Sequence, residues 1–494
     1  MKLFPTPWSL PTILILTLTL LLFPKGTQAQ NQAPESDPTA DAATLLSEST
    51  EQLPDSLMDM DPDFSADTLS LGPVSNLSSL MAMVPKVARL DSNFIRTPAG
   101  ISAQMTRVVD KLDSILLFGK GNLSILHIGG SHVQADMYTE IFRQRIDSLN
   151  RNLRPARGVI FPFSVAKTNN PLGYRTRYGG RWDRTRCSVR KEYTNVNAQR
   201  LGMMGIGVRT SDTSAWFSID MNPLCPNDRM PRWTADRLTI LGYSPYGTLT
   251  PLLVVDGRTL RPTPTAYGWQ FDIKDSTGVS PSAFTVTIAP THRGVRPKEG
   301  DMVCIGGLLP QMEDEVSSQG IVYHTIGVNG AAVPAYMRCA DFEKELSLIR
   351  PDLVIMAIGV NDASGPHFSE DTFVNNYNDL IRSIRRVSPD CAFIFISNND
   401  TKRRRSRRRR IVNTNGPKAQ HAFQRLATEW QGGFWDLFEV MGGLGSMAKW
   451  QENKLAGRDN IHFSRAGYAI VGNLFYDAFI NFYIQQDADT TSEH

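Results

Sequence analysis

Nucleophilic acyl transfer needs a hydroxyl to attack, a base to take its proton and a carboxylate to orient the imidazole. This chain carries that set in two places. Ser131 follows a mostly apolar run and two glycines in LSILHIGGSHVQAD, Leu123 to Asp136. Near the other end, DNIHFSRAGY sets Asp459 three residues before His462, just ahead of a helical pattern. Between them lie GVNGAAV, containing Gly330, and GVND, containing Asn361. A glycine lets a backbone N–H come close to a ligand. The N–H groups of Ser131 and Gly330 and the Asn361 side-chain amide would therefore supply donors to a tetrahedral oxyanion.

These residues act together only if the elements around them bring them to one place. The Ser131 stretch reads as a strand, a sharp turn and a helix marked by Val133, Met137, Ile141, Ile146 and Leu149. Such a turn lifts Ser131 off the carboxyl end of its strand, where open α/β sheets hold their ligands. A glycine-flanked serine also suits an ordinary turn or helix N-cap, so the assignment leans on its partners. Ahead of the strand, Phe94 to Leu117 has the spacing of a helix. After Ile321 the buried runs IVYHTIGV, LVIMAIG, AFIFIS and GFWDLF (Gly433 to Phe438) alternate with helical patterns. Buried strands alternating with helices predict a parallel sheet covered on both faces. With the first strand it has five strands. A last helix, about Ser464 to Tyr483, should cover it.

From about Asn170 to Glu315 the pattern changes to short alternating runs such as SAWFSID, DRLTILGY, LTPLLVVDG, YGWQFDI and AFTVTIA, punctuated by Gly, Pro, Asn and Asp. Frequent short strands predict an antiparallel sandwich or jelly roll inserted into the α/β region. Trp182, Trp216, Trp233, Tyr243, Tyr246 and Trp269 are its candidates for stacking on sugar rings, with burial in the strand core as the alternative.

The 494 residues leave room for two or three domains. Lys2, an apolar run from Ile13 to Phe23 and small residues at Thr27 and Ala29 have the pattern of a secretory signal peptide. The run falls short of the roughly 18–20 residues of a membrane span. No stable span is therefore expected after cleavage, and the chain is expected to be exported. From Gln30 onward the sequence is acidic, with no Lys or Arg between Lys25 and Lys86, and reads as a disordered tether. Five cysteines, Cys187, Cys225, Cys304, Cys339 and Cys391, lack metal-ligand spacing; one bridge, such as Cys187 to Cys225, is open. No metal or other cofactor is called for. A net charge of +3 is too small to imply a nucleic-acid partner.

The blocks GGSH, GVNG, GVND and DNIHFS, in this order at strand ends, resemble the SGNH (GDSL-type) hydrolase superfamily. The resemblance implies a flavodoxin-like five-stranded parallel sheet with helices on both faces. It makes Ser131 the nucleophile, His462 the base, Asp459 the third triad member, and Ser131, Gly330 and Asn361 the oxyanion hole. One position departs from the pattern: Gly130 stands where the family usually has Asp. HIGGSHVQAD, ARGVIFPF (Ala156 to Phe163), TNNP and the long β insert resemble bacterial cell-envelope members, including peptidoglycan O-acetylesterases. An acetylated glycan substrate and a periplasmic or envelope location are what this implies. An O-acetyltransferase with the same triad, or a catalytically weak glycan-binding protein, are the alternatives. The expected organisation is signal peptide 1–29, tether 30–90, first catalytic part 91–169, carbohydrate-binding-like β insert 170–316, second catalytic part 317–484 and disordered tail 485–494.

The run KRRRSRRRR remains. Lys402, Arg403, Arg404, Arg405, Arg407, Arg408, Arg409 and Arg410 follow the AFIFIS strand, at the sheet edge expected to carry the site. A solvated loop is one reading. The other is a polyanion-binding segment that gathers an anionic cell-wall polymer by screened attraction. Nucleic acid is not expected for an exported chain.

Overall fold

The Asn122–Gly129 strand is buried along nearly its whole length, which is why its sequence is an apolar run rather than a strict alternation. It pairs in parallel with Gly320–Gly327 on one side and with Leu353–Ala357 on the other. Ala392–Ile396 and then Gly433–Trp435 continue the parallel sheet. The five strands, numbered along the chain, thus lie in the order 2-1-3-4-5 of flavodoxin-like folds. The chain's direction across the sheet reverses between the Asn122–Gly129 and Leu353–Ala357 strands. That opens a crevice at their carboxyl ends.

The structure, a computed structural model, describes residues 77–149, 156–223, 233–312, 320–406 and 409–492. All fall in the compact unit from Asp59 to His494. The expected signal peptide, most of the expected tether and Cys225 lie outside the described residues. Cys187, Cys304, Cys339 and Cys391 are buried free thiols. No helix among the described residues is long and apolar enough to cross a membrane.

Four expectations are corrected at element ends. A sixth strand, Ile95–Arg96, joins the sheet antiparallel to Gly433–Trp435, so the span from Phe94 is not helical throughout. The helix begins only at Ala103, after Pro98 and Gly100, where the Ser102 hydroxyl caps it by accepting the Met105 N–H at 3.3 Å. Gly433–Phe438 is a strand only to Trp435, because Asp436 caps the next turn by accepting the Glu439 N–H at 3.2 Å. The tether does not extend to residue 90: Leu80, Met81, Met83 and Val84 pack on the core, and the Arg89 N–H donates to the Val440 carbonyl. These apolar residues offset the entropy of ordering that the acidic segment before them cannot. Lastly, the C-terminal helix runs from Arg465 to Ser492, through residues expected to form a tail.

Alternate residues of each parallel strand enter two different cores. Leu353, Ile355, Ile394 and Ile396 face the helices Ala103–Phe118, Tyr138–Asp147 and Arg465–Ser492, where Phe475 lies 4.7 Å from Phe142 and 4.9 Å from Trp435 between ring centroids. Val354, Met356, Phe393 and Phe395 face the other way, onto Phe373, Tyr377 and Ile381 of the helix Glu370–Val387. Burying each such side chain stabilises the fold by roughly 1.5–3 kcal/mol.

The region between Arg175 and Gln311 forms a six-stranded and a five-stranded antiparallel sheet. Inward pairs such as Val286 opposite Phe217 and Leu308 opposite Ile240 fix their registers. These sheets are not walled off from the rest. Their inward side chains belong to the same buried cluster as Val354 and Phe393 of the parallel sheet. Glu345, from the Phe342–Leu346 helix, crosses the boundary: its carboxylate accepts the Met203 N–H at 2.8 Å, and burial pushes its carboxyl up to about 7. Of the candidate stacking residues, Trp233 and Trp269 are core, Trp182 is partly buried against it, and Trp216 and Tyr246 are exposed.

Candidate active site

Ser131 opens a short helix, Ser131–Gln134, directly after its strand, and the turn between them is tight. A Cβ at Gly129 would come within 2.2 Å of Val133 Cγ2, so only glycine lets that helix start so close to the strand. Gly130 is different. A Cβ there would meet nothing nearer than Ala331 O at 3.6 Å and Asn361 Nδ2 at 3.7 Å. The position where the SGNH pattern that the sequence resembles has Asp is thus open, and a side chain there would lie against the Asn361 amide.

His462 reaches this turn from the far end of the chain. Its Nε2 is 2.7 Å from Ser131 Oγ, and its Nδ1 is 2.5 Å from Asp459 Oδ2. Asp459 Oδ1 accepts the N–H groups of Ile461 and His462, each at 3.0 Å, so the carboxylate is held by its own loop. Burial works to raise the Asp459 carboxyl, but the hydrogen bond and charge of His462 and the two backbone donors outweigh it and lower it. Asp459 therefore stays ionised and fixes which imidazole nitrogen faces Ser131.

The other two candidates come from the neighbouring strand ends. Gly330 has φ +76°, the left-handed region that favours glycine. The Asn361 amide donates to the Ala331 carbonyl at 2.9 Å, which ties it to the loop carrying Gly330. Among the described residues, neither the Ser131 N–H nor the Gly330 N–H donates to a turn or loop carbonyl. Ser131, Gly330, Asn361, Asp459 and His462 thus converge at the crevice, with Ser131 and Asn361 following the two strands that flank it.

Four groups around the site were not among the candidates named from the sequence. Asp362 accepts the Val333 N–H through both carboxylate oxygens, at 3.1 and 3.2 Å, and burial pushes its carboxyl up to about 7. Gln134 accepts the Asn329 N–H at 2.7 Å, while the Asn329 amide donates to Asn169 at 2.7 Å, so the residue before Gly330 is fixed on two sides. His132 lies beside His462 and is hydrogen-bonded to Tyr468. Asp136 is buried in ion pairs with Arg143 and Arg157, both at 3.1 Å. The signal was there in part: Asp136 and Arg157 sit in the words HVQAD and ARGV, and Asn169 in TNNP.

His127, Nδ1 to Tyr323 and Nε2 to Tyr138, is a satisfied core histidine whose imidazole burial holds down at about 3. His324 accepts the Val159 N–H at 3.1 Å.

Residues 304–470 match the GDSL-like Lipase/Acylhydrolase family. The match includes Gly330, Asn361, Asp459 and His462 and leaves out Ser131, which the antiparallel sheets separate from it in sequence. No curated protein matches the chain. Among solved structures, one described as a peptidoglycan O-acetylesterase in action is 21% identical with a TM-score of 0.56, covering 76% of this chain and 96% of its own. A lipase/acylhydrolase from Enterococcus faecalis, 21% identical, covers 32% of this chain and 75% of its own with a TM-score of 0.26. The fold is shared with the first of these along most of both chains.

Proposed function

Since this chain carries a GDSL/SGNH-type acylhydrolase domain, we propose that it is an exported serine esterase that removes O-acetyl groups from a cell-envelope glycan. The observation that carries the reading is the contact chain from Ser131 Oγ to His462 Nε2 and from His462 Nδ1 to Asp459, next to the loops of Gly330 and Asn361. In the cycle, Ser131 Oγ attacks the acetyl carbonyl and its proton passes to His462 Nε2. The N–H groups of Ser131 and Gly330 and the Asn361 amide take the oxyanion. His462 returns the proton to the departing sugar oxygen. Water, deprotonated by the same nitrogen, then attacks the acyl-serine and releases acetate.

The glycan is chosen on the likeness to a peptidoglycan O-acetylesterase structure and on the signal-like N-terminus. The test is acetate release from O-acetylated peptidoglycan and from 4-nitrophenyl acetate, each compared with Ser131→Ala. Loss of both activities in Ser131→Ala supports the reading, and unchanged activity there ends it. Acetyl transfer to added glycan in place of acetate release would make the same site a transferase.

A further inference from the structure

The residue before Gly330 is held from three sides. The Asn329 N–H donates to Gln134 Oε1 at 2.7 Å. Its side-chain amide donates to Asn169 Oδ1 at 2.7 Å and to Thr168 Oγ1 at 3.1 Å, and its carbonyl accepts the Ser188 hydroxyl at 2.8 Å. Gly330 follows directly at φ +76°.

These partners come from different parts of the chain. Gln134 ends the four-residue helix that Ser131 opens, so it is fixed one turn from the nucleophile. Its Nε2 donates to Thr168 Oγ1 and Asn169 Oδ1, both at 3.0 Å. A backbone N–H can only donate, so Gln134 turns its oxygen to Asn329 and its amine to Thr168 and Asn169. The Gly320–Gly327 strand runs against the same helix: a Cβ at Gly327 would fall 2.4 Å from Gln134 N and 2.7 Å from Gly130 O. Ser188 belongs instead to the antiparallel region, just after its Asp183–Arg186 strand. Its place is fixed in turn, because the Arg338 guanidinium donates to the Cys187 carbonyl at 3.0 Å.

We propose that Gln134 and Ser188 are positioning residues that clamp Asn329 and so fix where the Gly330 N–H stands relative to the Ser131 turn. The inference rests on the esterase reading in taking that N–H as an oxyanion donor. Such a donor acts by standing in place before the charge develops. A buried polar network with its donors matched supplies that rigidity, since moving one member leaves another unpaired. The antiparallel region is then a working part of the site, through Ser188, whatever else it binds. Gln134, Thr168, Asn169, Ser188 and Asn329 carry no ionisable side chain, so the clamp acts equally at every pH at which the chain is folded.

The full-length chain is compared with Gln134→Met, Ser188→Ala, Ser188→Thr and the double variant Gln134→Met/Ser188→Ala on 4-nitrophenyl acetate. Gln134→Met keeps the length of the side chain but loses its amide, and should lower kcat about 10–100-fold with KM within about threefold. Ser188→Ala should lower kcat about 5–20-fold, and Ser188→Thr, which keeps the hydroxyl, should stay within about twofold. Both substitutions act through Asn329, so the double variant should lose less than the product of the two single losses. The midpoint of the pH profile should stay within about 0.3 of wild type while the plateau falls. A second measurement needs no turnover: amide hydrogen exchange over residues 328–332 should quicken at least about tenfold in Gln134→Met, with residues 353–357 unchanged. Equal losses in Ser188→Ala and Ser188→Thr, losses that multiply in the double variant, or unchanged exchange over 328–332 overturn the proposal. A wild-type chain no more active than Ser131→Ala would strike instead at the esterase reading, and the exchange measurement would still decide whether Gln134 holds the loop.

Discussion

The imidazole of His132 lies 4.9 Å from that of His462, centroid to centroid, with the two rings tilted by 41°. His132 Nδ1 is 2.8 Å from the Tyr468 hydroxyl, and its Nε2 is buried with no hydrogen-bond partner among the described residues. Burial, reinforced by the nearby His462, holds the His132 imidazole down at about 3, so it is neutral wherever His462 works as a base. In the proposed cycle a neutral ring there packs beside His462 without competing for the positive charge that His462 takes up in the transition state. His132→Ala should lower kcat by about 10–100-fold with KM within about twofold, whereas His132→Phe, which keeps a ring, should lose no more than about threefold. Equal losses in the two variants would move the role to the Tyr468 hydrogen bond.

Asp459 is kept ionised by His462 and by two N–H groups of its own loop. An amide in its place presents a donor as well as an acceptor and can hold the imidazole in the wrong tautomer. Asp459→Asn is expected to lower kcat on 4-nitrophenyl acetate by about 10²–10⁴-fold. The fold should survive, and circular dichroism alongside the kinetics checks this. A loss below about threefold would remove Asp459 from the triad.

The two glycines before Ser131 should respond differently to a methyl group. Gly129→Ala drives a Cβ to 2.2 Å from Val133 Cγ2 and 2.7 Å from Val133 Cβ, so the Ser131 helix must shift. Denaturant unfolding should show a loss of roughly 1–3 kcal/mol, with activity falling alongside. Gly130→Ala meets only ordinary contacts and should change stability by less than about 1 kcal/mol. Gly130→Asp should also fold, with its carboxylate against the Asn361 amide. The reverse ranking of Gly129 and Gly130 would contradict this account of the turn.

Glu345 makes stability depend on pH. Burial raises its carboxyl to about 7 from an ordinary 4.5, so between those values the folded chain holds a proton that the unfolded chain has released. Stability from this group is then full below about 4.5, falls as pH rises through 7, and the total loss is on the order of 3 kcal/mol. Glu345→Gln keeps an acceptor for the Met203 N–H and should flatten the decline. Melting temperatures from about pH 5 to 8 read the difference, and parallel curves for the two proteins would rule the effect out.

Much of this site was legible in the sequence because each element declares itself locally. The apolar run before Ser131, the GVND turn after a buried strand and the DNIH spacing before a helix all follow from near-neighbour sterics and burial. They sufficed to name Ser131, Gly330, Asn361, Asp459 and His462, and to mark each strand of the five-stranded parallel sheet as an apolar run. The acidic stretch that gives way to LSSLMAMV was readable only in part, because the apolar residues that end it have no meaning until the face they cover is known.

What the tertiary structure alone decided are relations between residues far apart in the chain. The 2.7 Å contact of Ser131 with His462 spans 331 residues, and the Asp136–Arg157 pair closes over a helix and its following segment. The placing of His132 against His462, the shared core of the antiparallel sheets with one face of the parallel sheet, and the hydrogen bond from the Lys402 N–H to the Asn460 carbonyl are of the same kind. Sequence spacing encodes which way a side chain faces along its own strand or helix. Which distant surface it meets depends on how whole elements pack, and that is settled by the volume and hydrogen bonding of the entire core.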